Sequence, residues 1–169
     1  MNINTVDMTW QQSASRKAFA PEMAEAFMEM FISRHPIGVG ASRVVFPLWM
    51  DFGKNENKDL VIKIAYEKDV SFNVNEYETW QAVVHTEHSK WFAPVISMSK
   101  CGKLLIQKRT EPITIPPEKI PAYMTDVKLS NWGMLNGKPV CHDYGSSGKL
   151  LTMGLTKRMQ NWESIVHPG

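Results

Sequence analysis

The sequence predicts an α+β fold in which helices accompany antiparallel strands. Apolar residues recur at helical spacing over about 21–34 and again over 73–88. Between and after these segments lie short β-prone runs joined by turn-forming residues. The clearest turn is Asn136-Gly137, a dipeptide typical of a two-residue β-hairpin, and hairpins pair their strands antiparallel.

Composition and charge argue against several classes of protein. The chain has 169 residues, of which 43% are hydrophobic and 21% charged, so it can bury a core of its own. Its 19 Lys+Arg residues nearly balance 17 Asp+Glu residues, which does not indicate a nucleic-acid partner. The sequence contains no apolar run that approaches a membrane span and no signal-peptide pattern. Two cysteines, Cys101 and Cys141, suggest no disulfide framework, so we expect a cytoplasmic protein.

The first helix is predicted over about 21–34. Pro21 suits the first turn of a helix, and Phe27 and Phe31 follow among other apolar residues with glutamates between them. His35-Pro36 ends the segment, because the residue before a proline is disfavoured in a helix. We expect this helix to pack on its own domain.

A hairpin is predicted after the first helix. The β-prone residues 44–46 continue into 48–51, and a polar, turn-rich stretch follows over 53–59. The run over 60–65 is then apolar except for Lys63.

A second helix is predicted over 73–88, where aromatic and β-branched residues recur at helical spacing. The apolar runs 95–99 and 103–107 then predict a second pair of strands, joined at Lys100-Cys101-Gly102.

The last third of the chain is predicted to be less regular. Its prolines exclude long elements over 111–121, apart from a short helix that begins near Pro117. Two short strands, over 132–135 and 139–141, flank the Asn136-Gly137 turn. A helix-like piece is predicted near 150–163.

Polar residues in the first two thirds could carry chemistry. Gly38 and Gly40 lie close together before a strand, so the backbone there can approach a phosphate. Lys63 lies within an apolar strand, where its ammonium needs a partner or water, because burying it unpaired is costly. The following helix offers Glu76 or Glu78 as that partner, and the helical pattern leaves both open.

A second polar set lies in the last third. Asp126, Lys128 and Asn131 form an Asp-x-Lys-x-x-Asn run, and Asp143 opens an Asp-Tyr-Gly motif after the predicted hairpin. Phosphoryl transfer with Mg²⁺ needs oxygen ligands, a carboxylate near the attacking hydroxyl and a cation, and these residues supply those types. We expect the neighbouring His142 to be a hydrogen-bonded structural residue.

In chain order, the glycine pair, the strand lysine, the helix glutamate, the Asp-x-Lys-x-x-Asn run and the Asp-Tyr-Gly motif resemble the signature set of protein kinases. The resemblance covers roughly residues 36–147. The pattern is most similar to small atypical kinase-like proteins of bacteria and phages, whose loop often reads Gly-x-Gly-x-Ser-Arg. Asn73, Glu76 and Trp80 match a helix motif of those proteins, which favours Glu76 over Glu78.

The resemblance implies a site for ATP. Gly38 and Gly40, with Ser42 of the same loop, would cover the nucleotide phosphates. Lys63 would contact the α- and β-phosphates and pair with Glu76.

It also implies a hinge and a gatekeeper. Gln107 would occupy the gatekeeper position, and the backbone of Lys108, Arg109 and Thr110 would meet the adenine.

The resemblance further implies a catalytic loop and a metal site. Asp126 would be the base or the orienting group for the acceptor hydroxyl, and Lys128 would stabilise the transferred phosphoryl. Asn131 and Asp143 would hold Mg²⁺.

The chain departs from the kinase pattern in several places. Arg43 replaces the third glycine of the loop, and Met124-Thr125 replaces the usual His-Arg before the catalytic Asp. Only about sixteen residues separate the hinge from Asp126, and 24 residues follow Gly145, which is too few for a large helical lobe.

The expected organisation is therefore an N-terminal extension and helix over 1–36, a kinase-like N-lobe over 37–110 and a much reduced C-lobe over 111–169. The predicted function is Mg²⁺-ATP binding with phosphoryl transfer to an unknown acceptor, and nucleotidyl transfer stays open. The alternative is a catalytically idle pseudokinase that binds a partner protein, such as a host protein if a phage encodes the chain. A second copy could complete the reduced lobe, which leaves homodimer formation open.

Overall fold

A computed structural model of the chain describes residues 35–48, 59–146 and 154–164. Within these residues the predicted α+β class is confirmed, because one α-helix accompanies antiparallel sheets. The helix predicted over about 21–34 lies outside the described residues, as does most of the polar turn over 53–59. No helix among the described residues is long and apolar enough to cross a membrane.

The larger sheet contains the two predicted hairpins. Its strands are β1 (Gly38–Val39), β2 (Arg43–Pro47), β3 (Leu60–Ala65), β4 (Val95–Met98) and β5 (Leu104–Lys108). They are ordered β1-β2-β3-β5-β4, and every neighbouring pair is antiparallel. The apolar run over 60–65 therefore forms the central strand, which is flanked on both sides, and five of its six residues are buried.

The predicted second helix is confirmed with shifted ends. Helix α1 spans Val70–Val83, and a 3₁₀ helix over Glu87–Trp91 takes the place of its predicted last turn. The buried residues of α1 recur at helical spacing and are mostly polar: Asn73, Glu76, Thr79 and Val83. The buried polar residues of this helix need hydrogen-bond or ion-pair partners within the fold.

The last third is strand-rich where helices were predicted. The remaining strands are β6 (Glu111–Pro112), β7 (Lys119–Pro121), β8 (Trp132–Leu135), β9 (Lys138–Cys141) and β10 (Met159–Asn161). The β8–β9 hairpin is confirmed, with positive φ angles of 52° at Asn136 and 73° at Gly137 that suit its turn. Strand β6 pairs with the other side of β8.

Two helix predictions are wrong in this region. The short helix expected from about Pro117 is the strand β7, and the helix-like piece near 150–163 is extended over 159–161, where β10 pairs with β7. This pairing buries Ile120 and Trp162 against the core, and a local helical pattern cannot reveal such a long-range partner.

One core connects the sheet, the helix and the last third of the chain. Val83 of α1 and Leu105 of β5 pack in the same buried cluster as Trp132, Tyr144 and Trp162. Backbone contacts reinforce it, since the Ala93 N–H donates to the Cys141 carbonyl at 2.8 Å. The segment after β9, which carries the Asp-Tyr-Gly motif, is therefore held directly beside the sheet.

Candidate functional site

The strand lysine has a buried partner. Lys63 is 3% exposed, and its Nζ lies 2.5 Å from Glu76 Oε1 and also donates to the His142 carbonyl. Glu76 is fully buried, whereas Glu78 is exposed on another face of α1. Of the two carboxylates that the helical pattern allowed, the tertiary structure thus selects Glu76.

Burial and the Glu76 carboxylate have opposite effects on the pKa of Lys63. Removal from water lowers the pKa of its ammonium, and the Glu76 carboxylate opposes this while the nearby Arg43 adds to it. A buried ammonium keeps its charge only beside such a carboxylate.

In the sequence Arg43 is only a departure from the glycine pattern of the loop, whereas in the structure it contacts two of the candidate site residues. Its guanidinium is 5% exposed, with Nη2 2.5 Å from Glu76 Oε2 and also paired with Asp143 Oδ1. Nη1 donates to Asn73 Oδ1 at 3.0 Å. Burial alone would lower the pKa of Arg43, but Glu76 and Asp143 outweigh it and raise the pKa.

The signal that could have identified Arg43 is its position directly before the predicted strand 44–46, because the structure extends that strand to Arg43. In the β2–β3 register Arg43 lies opposite Ala65, and Lys63 lies opposite Val45. Because side chains alternate across a strand, Arg43 and Lys63 share one face of the sheet. Two cations on one buried face of a hairpin need carboxylate partners on the elements that cover that face, because an unpaired buried charge is costly.

Asp143 combines a buried contact with an exposed edge. Its side chain is 46% exposed although it pairs with Arg43. Burial raises its pKa, but Arg43 and then Lys63 outweigh burial and lower it, so the carboxylate is anionic. Arg43, Lys63, Glu76 and Asp143 together are called the polar cluster below.

Asp126 and Asn131 are held next to Asp143 by the ends of the β8–β9 hairpin. The Asn131 carbonyl accepts N–H groups from His142 at 2.8 Å and from Asp143 at 3.2 Å. The Asn131 side-chain Nδ2 in turn donates to the Asp126 carbonyl at 3.2 Å. The structure thus connects Asp126, Asn131 and Asp143 through hydrogen bonds of the Asn131 carbonyl and side-chain amide.

The Asp126 side chain is about one-third exposed, and two polar groups contact its carboxylate. Lys128 Nζ lies 3.7 Å from Oδ1, as the Asp-x-Lys spacing allows, but the lysine is 71% exposed. Oδ2 accepts a hydrogen bond from the Ser146 hydroxyl at 2.8 Å. The sequence reasoning did not single out Ser146, although it directly follows the Asp-Tyr-Gly motif.

His142 has the structural contacts expected of it. Its Nδ1 lies 2.8 Å from Thr110 Oγ1 and its Nε2 lies 3.0 Å from the Ser130 carbonyl. Burial lowers its pKa, so the ring is neutral.

Gln107 extends the polar cluster toward the core. Its Nε2 donates to Glu76 Oε1 at 2.8 Å and lies 3.3 Å from the Ala93 carbonyl. Its Oε1 is buried without a hydrogen-bond partner among the described residues. The predicted gatekeeper side chain therefore shares Glu76 Oε1 with Lys63 as its hydrogen-bond acceptor.

The predicted glycine loop and hinge lie at the edges of this site. Gly40 and Ser42 lie in the turn between β1 and β2, and Arg43, the first residue of β2, contacts Glu76 and Asp143. At the other edge, the Lys108 N–H donates to Pro94 and the Arg109 N–H donates to Asp59. Those two hinge donors have partners within the chain, so an adenine could meet only other backbone groups of this segment.

The donor set suits a hard cation that keeps water ligands. No group of three His, Cys, Asp or Glu side chains within the described ranges could hold a metal. The candidate ligands are the exposed edge of the Asp143 carboxylate and the amide oxygen of Asn131, whose nitrogen is already engaged. Mg²⁺ is commonly held by one or two protein oxygens together with waters and substrate phosphates.

Compared with models of known protein families, the chain matches none, and a comparison with curated protein sequences also finds no match. The assignment of a function therefore depends on the geometry of this site.

Proposed function

We propose that this chain is a minimal kinase-like protein that binds Mg²⁺-ATP and transfers the γ-phosphoryl group to a hydroxyl acceptor. The observation that supports it is a continuous chain of polar contacts. The Lys63–Glu76 pair connects through Arg43 to Asp143, and Asp143 connects through Asn131 to Asp126. A buried cation, two candidate metal ligands and a candidate base thus lie in one connected site.

In this proposal different residues bind the ATP phosphates and the Mg²⁺ ion. Lys63 contacts the α- and β-phosphates from the sheet, with Glu76 and Gln107 holding its side chain. Asp143 and Asn131 supply oxygen ligands to Mg²⁺, which would offset the negative charge of the phosphates. Arg43 pairs with Oδ1 of Asp143, so Oδ2 is the carboxylate oxygen that remains for the ion.

The chemical step is then a proton transfer coupled to phosphoryl transfer. Asp126 accepts the proton of the acceptor hydroxyl, whose oxygen forms a new bond to the γ-phosphorus. The bond between that phosphorus and the bridging oxygen breaks, and ADP leaves with the electron pair. Lys128, on the loop beside Asp126, offsets the charge of the transferred group.

Thermal unfolding with ATP and Mg²⁺ tests the binding half of the proposal. Ligand at about 100 times its dissociation constant stabilises a native protein by roughly 2.7 kcal/mol, a shift of several degrees. We expect a Mg²⁺-dependent shift in the wild type and its loss in Asp143→Ala. Glu67→Ala, which removes a carboxylate that is 89% exposed, should keep the shift. A shift that Asp143→Ala retains would contradict the metal role of Asp143.

A second candidate function is an idle kinase-like module that binds a partner protein. Two observations favour it: Arg43 already neutralises Asp143, and the N–H groups of Lys108 and Arg109 are engaged within the chain. Exposed apolar side chains on the edge strands, Val39 and Ile96, could then contact the partner. Under this function millimolar nucleotide causes no thermal shift, and Asp143→Ala binds the partner as the wild type does.

A further inference from the structure

The hydroxyl of Ser146 lies where an acceptor hydroxyl would be activated. Its Oγ is 2.8 Å from Asp126 Oδ2, which is within the reach that a general base needs. Ser146 is exposed, so its hydroxyl is not sequestered by the core. Asp126 is the carboxylate assigned above to accept a proton, and Ser146 is therefore a hydroxyl already in place for it.

The fold holds both ends of this contact. On one side, the Gly145 carbonyl accepts a hydrogen bond from Asn75 Nδ2 at 3.1 Å, and a Cβ at Gly145 would overlap with the Phe72 carbonyl. The chain just before Ser146 thus packs closely against α1. On the other side, Asn131 holds the Asp126 carbonyl.

We propose that Ser146 is a phosphorylation site that the chain modifies itself, in cis and at the expense of ATP. The inference deepens the proposed function and rests on it. Asp126 takes the Ser146 proton, the Ser146 oxygen bonds to the γ-phosphorus, and ADP departs with the electrons of the broken bond. The contact lies within one chain, so no second molecule has to supply the hydroxyl.

The product would change the site that made it. A phosphate on Ser146 carries a charge of about −1.5 to −2 at neutral pH and would lie beside the Asp126 carboxylate. Repulsion would break the present contact, while Lys128, 3.7 Å from the other carboxylate oxygen, could pair with the phosphate. Self-modification should therefore stop at one phosphate per chain. The phosphorylated Ser146 should then occupy the position of the acceptor.

The test uses the full chain, treated with phosphatase and then incubated with ATP and Mg²⁺. Intact mass and fragment spectra count the phosphates and locate them. We expect one phosphate on Ser146 in the wild type and in Ser97→Ala, whose exposed serine lies on the edge strand β4. We expect none in Ser146→Ala or Asp126→Asn, and recovery on the new hydroxyl in Ser146→Thr.

Two further readouts separate this inference from the proposed function. For transfer in cis the initial rate per chain does not depend on protein concentration, so a rate that rises in proportion to concentration would overturn it. Thermal shift with Mg²⁺-ATP is measured on the same samples. A shift without phosphate on Ser146 overturns the acceptor assignment and leaves nucleotide binding in place, with Ser146 only positioning Asp126. If Mg²⁺-ATP causes no thermal shift and Ser146 carries no phosphate, both this inference and the proposed function are overturned.

Discussion

Arg43 and Lys63 are two cations buried against two carboxylates, Glu76 and Asp143. Bringing such charges out of water is costly, so the cluster is weak evidence for stability as a whole. Removing one partner is different, because the remaining charge then stays buried without compensation. Loss of one charge from the cluster should therefore destabilise the contacts among strand, helix and loop that these residues make.

We predict that Arg43→Met lowers the free energy of unfolding by about 3 kcal/mol, because Glu76 and Asp143 lose their shared cation. Lys103→Met is the matched control, since its pair with Glu67 lies at 3.3 Å but is exposed, and such pairs contribute at most about 1 kcal/mol. Urea denaturation of the two variants and the wild type measures the difference. Equal losses in both variants would show that the buried pairs do not hold the loop.

Cys141 should give the protein an alkaline sensitivity. Burial raises the pKa of this thiol, and Glu76 and Asp143 raise it further. Below the ordinary thiol pKa of about 8.5 both folded and unfolded chains keep the proton. Above it only the unfolded chain releases the proton, so stability is lost as the pH rises, by up to about 1.4 kcal/mol per pH unit.

Cys141→Ala should therefore flatten the fall of unfolding free energy between about pH 7.5 and 9.5. Cys101→Ala should not, because Cys101 is exposed and its hydrogen bond with Ser99 lowers its pKa. Urea titrations across this range measure the slopes. A slope in Cys141→Ala as steep as in the wild type would contradict burial of this thiol.

At the level of elements, the β4–β5 turn contains a glycine at which the hairpin packs closely against α1. Gly102 has a φ of 71°, and a Cβ there would lie 2.9 Å from side-chain carbons of Val70 and Val74 of α1. Gly137 in the β8–β9 turn has a similar φ of 73°, but a Cβ there meets nothing within 4 Å. The two positions share the backbone requirement and differ in packing.

Gly137→Ala should cost about 1 kcal/mol of unfolding free energy, which is the cost of a left-handed backbone for a residue with a Cβ. Gly102→Ala should cost more, because the methyl group must also displace the side chains of Val70 and Val74 on α1. Thermal unfolding of both variants compares them under one condition. Similar melting temperatures would mean that α1 does not pack on this turn as described.

On the scale of the whole molecule, the segment after β9 is the junction between the larger sheet and the last third of the chain. Tyr144 donates its hydroxyl to the Ala93 carbonyl at 2.9 Å, and Phe92 packs on the Tyr144 ring with centroids 4.9 Å apart. Lys63 and Arg43 contact the same segment from the sheet. The predicted boundary near residue 110 thus lies between elements that share one core and one polar site.

Much of this protein follows from local patterns in its sequence. Alternating and near-continuous apolar runs predicted the strands of the larger sheet, and Asn136-Gly137 predicted the β8–β9 hairpin, because strand periodicity and turn chemistry act over a few residues. The residue types and their positions also predicted Lys63, Asp126 and Asp143 as candidate site residues.

Other features depend on partners that are distant along the chain. Only the tertiary structure placed Arg43 against Asp143 a hundred residues away and brought Ser146 to Asp126. It also pairs Lys63 with Glu76, the carboxylate that the resemblance favoured over Glu78. It also made a strand of 159–161, where a local pattern predicted a helix. Strand order and the packing of α1 decide these contacts, because the free energy of a buried charge depends on which partners the fold brings within reach.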